Sequence, residues 1–598
     1  MTSSTIPEMF WHNVEKYGKQ PCLNFKSAEG WTTYSYGEVA AQVRETARGL
    51  AALNIAAKDK VSILSDNNPR WAIADYAILS LSAVTVPVYP TLIPKQIKYI
   101  LQDGDVKAVF AENRTQVDKL LEIYDDLEML TSIVVMNEGE EYEQDYIISW
   151  EKLIHQGREL EEQGGFRIED HWKDLTPDDL VTIIYTSGTT GEPKGVMLTH
   201  GNMVSNVEGG LERIKVGPGD RFLSFLPLSH SFERMAGHFL PFTAGCAIYY
   251  AESMETVPEN MVEVRPTVMT SVPRLYEKMY MRVNEIVEQS SALRKRIFRW
   301  AFKVGAKYVA QKNQETISSL TKVRYALARR LVFAKLHERV GGALRFFVSG
   351  GAPLSAEIAR FFERAGITIL EGYGLTETSP VIAVNPLDNY KIGTVGPPIF
   401  NVEVAIADDG EILTRGPHIM QGYYKQEEAT DEAIDEDGWF HTGDIGMLDE
   451  DNYLSVTDRK KNLIVTSGGK NVAPQPIEGV LGNSPYIEQI MLTGDKRNFI
   501  SALIVPNFEN LKGWANKNGL YYGSQEELIQ LSEVNELIRQ EIEERTQDFA
   551  RYEQVRQFRL LPKEFTIGNG DLTPSLKIKR RVVEEEYQDL IESMYQES

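Results

Sequence analysis

The stretch that decides the fold is "YTSGTTGEPKG", Tyr185 to Gly195, which directly follows the apolar run "LVTII" at 180–184. A strand that leads into a loop of Gly, Ser and Thr is a common way to hold phosphate, because glycine lets backbone N–H groups approach a ligand closely. Walker A does not fit, because Pro193 precedes Lys194 and Gly195 follows it; the G-x-G-x-x-G spacing of dinucleotide sites is also absent. The loop therefore predicts a phosphate site of another type, with a flexible surface loop as the alternative.

Outside this stretch, short β-branched runs alternate with helical patterns, which predicts parallel sheets with helices on both faces. The runs are "KVSIL" (60–64), "VTVPVY" (84–89), "KAVFAE" (107–112), "SIVVMN" (132–137), "VTIIYT" (181–186), "CAIYYAE" (246–252), "TVMTSV" (267–272) and "LRFFVSGG" (344–351). From about Ile392, glycine and proline break short strands, which predicts a β-rich subdomain at about 392–460. The predicted fold class is α/β, with a large N-terminal domain over 1–460 and a small α+β C-terminal domain over 461–598.

The composition is that of a soluble globular protein: 598 residues, of which 42% are hydrophobic and 25% charged. The net charge of −23 argues against a general nucleic-acid binder. Cys22 and Cys246 are too few for a disulfide framework, which favours a reducing, cytoplasmic setting. The N-terminus does not have the pattern of a signal peptide. The most apolar window, Ala72 to Pro90, contains Asp75 and Pro87, which predicts a buried helix leading into a strand.

Two further glycine-rich turns, "VSGGAPLS" (348–355) and "EGYGLTET" (371–378), each follow an apolar run. In the second turn, Tyr373 can stack on a purine and Thr376 can bond a phosphate oxygen. Glu377 supplies a hard oxygen ligand of the kind that Mg²⁺ accepts. Taken alone, Glu377 would be a solvated loop carboxylate.

Three further segments contain charged residues that could act in a nucleotide site. "GWFHTGDIG" (438–446) places Asp444 in a tight turn, where a carboxylate can accept the hydroxyls of a ribose. "DRKKN" contains Arg459, and "LTPSLKIKR" (572–580) places Lys577 in a basic run. Each of these residues, by itself, would be an ordinary turn, ion-pair or surface residue.

Together, and in this order, "YTSGTTGEPKG", "YGLTET", "HTGD", "DRKK" and "LKIKR" resemble the adenylate-forming superfamily. This superfamily comprises acyl-CoA synthetases, the adenylation domains of peptide synthetases, and luciferases, and the resemblance runs from about residue 5 to 590. It implies that the phosphate is that of ATP, and that Mg²⁺ and coenzyme A take part. Family members first join a carboxylate to AMP with release of pyrophosphate; a thiol then attacks the acyl carbon and AMP leaves.

The resemblance assigns roles to the matching positions of this sequence. Those implied to hold the β- and γ-phosphates are Thr186, Ser187, Gly188, Thr189, Thr190 and Lys194. Those implied to form the adenine pocket are Gly350, Gly351, Ala352, Glu371, Gly372, Tyr373 and Gly374. Thr376 is implied at the α-phosphate, Glu377 at Mg²⁺, and Asp444 with Arg459 at the ribose. Lys577 would be the adenylation lysine, whose charge offsets the negative charge that builds on the reacting oxygens. The implied catalytic set is Lys577, Glu377 and Thr186.

The second half-reaction implies a mobile C-terminal domain. In the family this domain rotates about a hinge after the D-R-x-K segment, which makes Lys461 the hinge residue and brings Gly468 to the pantetheine channel. His230, in "FLPLSHSFER", matches an aromatic-or-histidine position beside the acyl pocket; a packed residue under the sheet is the alternative. This chain departs from the family pattern at Leu576, where a glycine normally precedes the lysine, and at Val465, where some relatives carry a second lysine.

The region from about 284 to 340 gives the best indication of the acyl group. Between Arg294 and Arg339, thirteen Lys and Arg residues stand against two acidic residues. In helical projection one face holds Ile297, Trp300, Ala301, Val304 and Tyr308, and the other holds Arg296, Arg299, Lys303 and Lys307. Such a helix can lie on the anionic inner face of a membrane, or pack its aromatic side on the protein's own core or on a second subunit in a homodimer. We predict peripheral membrane contact through 294–340.

The predicted function is ATP-dependent activation of long-chain fatty acids to acyl-CoA, because chains with this basic region resemble the long-chain acyl-CoA synthetase branch. The nearest alternative is a fatty-acyl-AMP ligase that passes its acyl group to a carrier protein, and a luciferase-like oxygenase is a weaker one. A catalytically inactive lipid sensor should have lost Lys577, Glu377 or the phosphate loop, and all three are present. Nucleic-acid binding is not expected, because the basic face lacks interleaved aromatic residues.

Overall fold

The structure is a computed structural model that describes residues 3–137, 139, 142–162, 166–186, 192–566, 568–573 and 577–596. Within these residues, two eight-stranded sheets and one four-stranded sheet precede residue 460, and two small sheets follow it. The predicted fold class is confirmed: a large α/β region with mainly parallel sheets is followed by a smaller α+β region.

One eight-stranded sheet carries the phosphate loop. In spatial order its strands are Gly422–Tyr423, Lys194–Thr199, Leu180–Thr186, Val84–Val88, Lys60–Leu64, Val106–Ala111, Ser132–Val135 and Ile147–Ser149. The first two strands run antiparallel to their neighbours and the other pairs are parallel. Val84–Val88 is buried at every residue, as expected for a parallel strand covered on both faces.

The other eight-stranded sheet carries the two glycine-rich turns that were predicted to hold adenine. In spatial order its strands are Val381–Val384, Thr368–Gly374, Phe346–Ser349, Val268–Ser271, Arg221–Ser224, Ala247–Tyr250, Pro21–Ser27 and Gly30–Ser35. The two edge pairs are antiparallel and the inner pairs are parallel. Parallel neighbours end at the same edge of a sheet, so the segments 348–355 and 371–378 lie side by side. The prediction of a turn over all of 371–378 is wrong: Glu371–Gly374 belong to the strand, and the turn covers Thr376–Thr378.

Helices flank and separate these two sheets. Those before residue 460 are Ile6–Tyr17, Tyr36–Ala52, Pro69–Ser80, Pro94–Asp103, Arg114–Leu121, Trp150–Glu162, Glu169–Trp172, His200–Arg213, Leu240–Thr243, Val257–Val264, Pro273–Glu288, Ala292–Asn313, Ser319–Ala328, Ala334–Arg339, Ala356–Arg364 and Glu427–Ala433. Two π-helical turns cover Glu233–Phe239 and Arg329–Phe333, and 3₁₀ turns cover Tyr124–Asp126, Thr376–Thr378 and Lys460–Asn462.

The apolar window predicted as a buried helix leading into a strand has that structure. Asn68 caps the helix by accepting a hydrogen bond from the backbone N–H of Trp71 (3.0 Å), and Pro69 takes the first position, where its missing N–H costs nothing. The helix Pro69–Ser80 is buried nearly throughout, and the strand Val84–Val88 follows it.

A fully buried ion pair joins the two large sheets. Arg234, in the π-helical turn, donates to both carboxylate oxygens of Asp75 (2.9 and 2.5 Å) and to Thr182 Oγ1 (2.7 Å). Thr85 adds a hydrogen bond to Asp75 Oδ1 (2.7 Å), so the carboxylate is well satisfied although no solvent reaches it. This pair fixes the segment after His230 against the strand that leads into the phosphate loop.

The β-rich segment and the C-terminal region are built separately. The antiparallel four-stranded sheet consists of Glu403–Ile406, Glu411–Arg415, Phe440–Leu448 and Leu454–Arg459. The strands that follow are Ile464–Val465, Asn471–Val472, Ile487–Thr493, Ile500–Pro506 and Val555–Leu560, and the helices are Pro474–Leu481, Phe508–Lys517, Gln525–Gln530, Ser532–Thr546, Arg580–Glu586 and Gln588–Gln596. The C-terminal helices and strands form hydrophobic clusters of their own, as expected of a separate domain.

The helix Ala292–Asn313 turns its apolar face towards the protein. Ala301 and Val304 are buried in a cluster with Phe333, and Phe302 stacks on Phe361 at 4.5 Å. The basic residues of its other face are exposed. The sequence left three partners open for the aromatic side of this helix: a membrane, the protein's own core or a second subunit. In the structure the aromatic side packs on the protein's own core. In the part of the chain that the structure describes, every helix is too short or too polar to cross a membrane.

Candidate active site

The phosphate loop connects the two strands of an antiparallel hairpin. Thr186 ends the strand Leu180–Thr186 and lies opposite Lys194, which begins the strand Lys194–Thr199. The predicted phosphate ligands Ser187, Gly188, Thr189 and Thr190 lie outside the described residues. The ammonium of Lys194 lies 4.6 Å from the ring centroid of Tyr423, close enough for a cation–π contact.

Thr376 and Glu377 lie in a 3₁₀ turn that follows the strand Thr368–Gly374. The hydroxyls of Ser231 and Thr376 are 3.2 Å apart, so this turn meets the loop that carries His230. Glu377 Oε1 accepts a hydrogen bond from the Tyr423 hydroxyl at 3.0 Å. Among the described residues no group of three His, Cys, Asp or Glu side chains could hold a metal. One carboxylate ligand from the protein is enough for a Mg²⁺ ion that is bound to ATP, because such an ion takes its other ligands from water and from phosphate oxygens.

Two glycines of the predicted adenine pocket, Gly350 and Gly374, are required by close approaches. A Cβ added to Gly350 would lie 2.9 Å from the Phe232 ring, and one added to Gly374 would lie 1.7 Å from the backbone oxygen of Pro380. Gly351 has φ +80°, a conformation that favours glycine. Ala352 follows in the same exposed turn.

The adjacent strand contributes Glu371, Gly372 and Tyr373. Glu371 is buried, and burial raises the pKa of its carboxyl to about 7. Gly372 pairs with Val384 in the edge hairpin. The Tyr373 hydroxyl donates to Asp444 Oδ2 at 2.7 Å, which fixes its ring between the adenine and ribose residues of the predicted site.

Asp444 does not lie in the predicted tight turn: it lies within the strand Phe440–Leu448, opposite Arg459 of the antiparallel strand Leu454–Arg459. They form a register pair, and Arg459 Nε lies 3.2 Å from Asp444 Oδ1. Burial raises the pKa of Asp444, while Arg459 and the hydrogen bond from Tyr373 act in the opposite direction. The structure thus brings the predicted ribose residues together.

Lys577 enters this site from the C-terminal domain. Its backbone N–H donates to Thr573 Oγ1 (3.0 Å) in a small hairpin closed by the bridge between Leu572 and Ile578; Leu576 lies outside the described residues. The side chain is exposed at its surface, but the protein atoms that surround it reduce its hydration. This partial burial, followed by the charge of Arg459, lowers the pKa of Lys577 to about 8.

The charges that act on Lys577 are those of the nucleotide site. Asp444 and Glu377 raise its pKa, against the effects of burial and Arg459. His230 is also close: burial and then the charge of Lys577 lower the pKa of its imidazole to about 4, so His230 is neutral at pH 7. His230 Nδ1 accepts from the backbone N–H of Phe232 at 3.2 Å. The cleft therefore gathers residues from both domains.

The junction between the domains follows directly after Lys460. The ammonium of Lys460 contacts Asp409 (2.6 Å) and Glu411 (2.9 Å), which holds it to the four-stranded sheet. Lys461, the predicted hinge, is exposed. Gly468 lies in an exposed turn of the C-terminal domain, where an added Cβ would meet, among the described residues, only Thr466 within 4 Å.

Two contacts beyond the cleft hold the domains in this arrangement. Arg274, at the start of the helix Pro273–Glu288, forms an ion pair with Glu488 of the C-terminal domain. Asn483 Nδ2 donates to Ser355 Oγ at 3.0 Å. Both contacts join residues on opposite sides of the junction and would have to break if the C-terminal domain rotated.

Sequence reasoning missed several residues of this site. Tyr423 contacts both Lys194 and Glu377, yet "GYY" is a common strand pattern that gave no signal of its own. Asp458, next to Arg459, is fully buried and accepts from the backbone N–H of Gln475 (2.9 Å); burial raises its pKa to about 6.

The lysine hairpin is also anchored by a pair that the sequence did not reveal. Arg580 donates to both carboxylate oxygens of Glu478 at 2.5 Å, and it also donates to the backbone oxygen of Leu492 at 2.9 Å. The two residues lie far apart along the chain, so only the fold brings them together.

Comparisons with known proteins identify the family to which this chain belongs. The family model for AMP-binding enzymes matches residues 10–424, and the model for the C-terminal domain of AMP-binding enzymes matches residues 461–598. The chain therefore belongs to the AMP-binding enzyme family.

Two relatives agree with this membership, and a solved structure shares the fold. The chain is 37% identical over 569 residues to "Long-chain-fatty-acid--CoA ligase FadD15" of Mycobacterium bovis, covering 94% of this chain and 92% of that protein. It is 34% identical to "Long chain acyl-CoA synthetase 7, peroxisomal" of Arabidopsis thaliana, covering 99% of this chain and 86% of that protein. The crystal structure of the anthranilate CoA ligase AuaEII with anthranoyl-AMP matches with a TM-score of 0.75 at 18% identity, over 99% and 98% of the two chains, which supports the fold.

We predict that the adenylation rate falls as pH rises through about 8. Lys577 is useful only when charged, and its lowered pKa means that the charge is lost near pH 8 rather than near its usual 10.5. The measurement is kcat/KM for fatty-acid-dependent ATP–pyrophosphate exchange between pH 6 and 10, which reports groups of the free enzyme.

In the control Lys577→Arg, whose side chain stays charged in this range, the decrease near pH 8 should be absent even if the maximal rate is lower. A native rate that is flat up to pH 10 would contradict the assignment of Lys577.

Proposed function

We propose that this chain is an ATP-dependent long-chain fatty acid–CoA ligase that works through an acyl-AMP intermediate. The observation that carries the proposal is the position of Lys577, close enough to Asp444, Arg459 and Glu377 for their charges to act on its ammonium. A lysine from a separate domain in a nucleotide cleft suits a reaction that builds negative charge between two substrates.

In the proposed first half-reaction, a carboxylate oxygen of the fatty acid attacks the α-phosphorus of ATP. The bond from this phosphorus to the oxygen bridging to the β-phosphorus breaks, and pyrophosphate leaves with the bonding electrons. We propose that Thr376 bonds the α-phosphate, Lys194 the outer phosphates, and Asp444 the ribose hydroxyls. Lys577 would bridge the fatty carboxylate and the α-phosphate. Such transfers depend on positioning and charge neutralisation more than on covalent help from the protein.

Glu377 is the residue proposed to bind Mg²⁺. Its oxygens have the hard character that this ion prefers, and the Tyr423 hydroxyl holds one of them in place. When bound, the ion would offset the negative charge of the phosphates.

In the proposed second half-reaction, the C-terminal domain rotates about Lys461, removes Lys577 and brings the turn of Gly468 to the cleft. The sulfur of coenzyme A loses its proton and attacks the acyl carbon. The bond from this carbon to the AMP oxygen breaks, and AMP leaves. The position of Lys460, held by Asp409 and Glu411, supports a pivot at the next residue.

The proposed substrate and acceptor come from the relatives. The names of both relatives, from Mycobacterium bovis and Arabidopsis thaliana, describe long-chain acyl-CoA ligases or synthetases, and the alignments cover nearly the whole chain. They favour coenzyme A over a carrier protein as acceptor. We therefore extend to this chain the long-chain substrate and the coenzyme A acceptor.

We predict that AMP release requires coenzyme A and is fastest with long acyl chains. The assay supplies ATP, Mg²⁺ and fatty acids from C4 to C20, with and without coenzyme A, and measures pyrophosphate, AMP and acyl-CoA. In Lys577→Ala, loss of the bridging charge should lower pyrophosphate release by at least about 100-fold, the usual scale for removing one such donor.

A matched control separates this effect from loss of a surface charge. Lys579 lies two residues further on and is half-exposed, and Lys579→Ala should retain the native rate. Pyrophosphate release that coenzyme A leaves unchanged would instead favour a carrier-protein acceptor.

We also propose that an exposed apolar face next to the basic helix contacts an anionic membrane. Leu320, Val323, Leu327 and Leu331 are exposed by 60%, 67%, 49% and 50%. Their spacing of three, four and four residues places them on one side of the helix Ser319–Ala328 and the turn that follows. The apolar face of the helix Ala292–Asn313, which the sequence predicts to contact the membrane, packs on the protein instead. The proposed membrane contact therefore lies on the neighbouring helix.

The surrounding charges favour a membrane over a second protein chain as the partner. Arg324 and Arg330 lie beside the apolar residues and are exposed, as are Arg299 and Lys303 on the basic helix. In a chain of net charge −23, a second copy would be repelled over most of its surface, whereas anionic lipid is attracted locally to this region.

We predict that Leu320→Ser, Val323→Ser and Leu327→Ser combined abolish binding to anionic vesicles. Flotation with phosphatidylcholine–phosphatidylglycerol vesicles should recover the native chain at low salt and less of it at high salt. The matched control replaces Met254, Val262 and Met447, which are 50–61% exposed elsewhere, by serine and should float as the native chain does.

Two results would contradict this proposal. One is flotation of the triple variant at the native level. The other is a native dimer in light scattering that the triple variant converts to a monomer, which would make the face a subunit contact.

A further inference from the structure

Tyr423 contacts both Glu377 and Lys194, two charged side chains of the proposed phosphate site. Its hydroxyl donates to Glu377 Oε1 at 3.0 Å, and the ammonium of Lys194 lies over its ring at 4.6 Å from the centroid. Lys194 and Glu377 carry opposite charges, yet each contacts Tyr423 and they form no ion pair with one another; both residues are among those described.

Backbone contacts hold Tyr423 firmly in this position. The strand Gly422–Tyr423 pairs with Lys194–Thr199, and the N–H of Tyr424 donates to the Gly195 oxygen at 2.7 Å. On the other side, the N–H of Met420 donates to the backbone oxygen of Glu377 at 2.9 Å. The segment 420–424 is thus hydrogen-bonded both to the strand Lys194–Thr199 and to the turn that contains Glu377.

We propose that Tyr423 is a positioning residue that keeps Lys194 and Glu377 apart, so that both charges remain available to the phosphates and the metal of ATP. Opposite charges that meet in a partly buried cleft attract strongly, and a direct pair would have to be broken before the nucleotide could bind. An aromatic ring with a hydroxyl satisfies both groups at once: its face attracts the cation and its O–H donates to the anion.

The ionisation state of the phenol agrees with this role. Burial, followed by the charge of Glu377, raises the pKa of Tyr423 well above its ordinary value, so the hydroxyl remains a donor at every working pH. The inference rests on the proposed use of ATP, but not on the identity of the acyl chain or of its acceptor.

Three variants separate the two contacts. Tyr423→Phe removes the hydroxyl and keeps the ring, Tyr423→Leu removes both, and Tyr424→Phe is the matched control. The Tyr424 hydroxyl donates to Asp105 Oδ2 at 2.8 Å, so the neighbouring side chain makes the same kind of bond outside the site.

The experiment is calorimetric titration of each protein with ATP, without fatty acid, once with Mg²⁺ and once with EDTA. Tyr423→Phe should weaken ATP binding about tenfold with Mg²⁺, the effect of losing a hydrogen bond to a charged group, and leave binding in EDTA unchanged. Tyr423→Leu should weaken binding in both conditions, and Tyr424→Phe in neither. Unaltered thermal unfolding of the variants checks that they fold.

Either of two results would overturn the inference: native ATP affinity of Tyr423→Phe in the presence of Mg²⁺, or equal losses in Tyr423→Phe and Tyr424→Phe. Failure of the proposed function has a different signature, because then the native chain itself would fail to bind ATP or to make acyl-CoA.

Discussion

The arrangement of the cleft depends on the buried ion pair between Asp75 and Arg234. It joins the helix Pro69–Ser80 to the π-helical turn Glu233–Phe239, and Thr182 of the phosphate-loop strand accepts a hydrogen bond from the same arginine. Breaking such a pair by removing one partner typically costs about 3–5 kcal/mol, because the remaining charge stays buried without compensation. Since this pair holds the segment after His230 against the phosphate-loop strand, it links the residues proposed for the acyl side of the site to those proposed for the nucleotide side.

To this arrangement the C-terminal domain contributes the charged side chain of Lys577. Lys577 reaches the cleft on a hairpin whose far end is anchored by Arg580 and Glu478 within its own domain. Among the described residues, polar contacts that hold the domain to the rest of the protein include Arg274 with Glu488 and Asn483 with Ser355. Both contacts are only partly buried, and single polar contacts that water can reach contribute little stability each. This suits a domain proposed to leave and return in every catalytic cycle.

The sequence predicted the fold class because its signals are local. The run at 180–184 forms a strand, and the window from Ala72 forms a buried helix followed by a strand, since burial pattern, capping and proline positions act within a few residues. The sequence does not determine what the apolar side of the helix Ala292–Asn313 contacts, because a basic amphipathic helix has the same pattern whether it packs on a protein core or on lipid.

The contacts of the site that the sequence missed are all long-range. Tyr423 pairs with the strand of Lys194 far back in the chain, and Asp458 meets Gln475 across the domain junction. The motif residues could be proposed by resemblance, but the residues that position them belong to ordinary strands and loops. Only the folded arrangement shows which side chains they contact.

The central claim is that the arrangement described here supports adenylation and that the C-terminal domain must leave it for thioester formation. Arg274→Cys and Glu488→Cys, joined by a short bismaleimide, would fix this arrangement; Cys22 and Cys246 are buried and should not react. Single-turnover assays then follow acyl-AMP and acyl-CoA in the linked and unlinked protein. The control is a link between Arg44→Cys and Glu169→Cys, which replaces an ion pair of similar exposure inside the N-terminal domain. The account predicts that the inter-domain link preserves acyl-AMP formation and abolishes acyl-CoA formation. Acyl-CoA formed at the unlinked rate would contradict it.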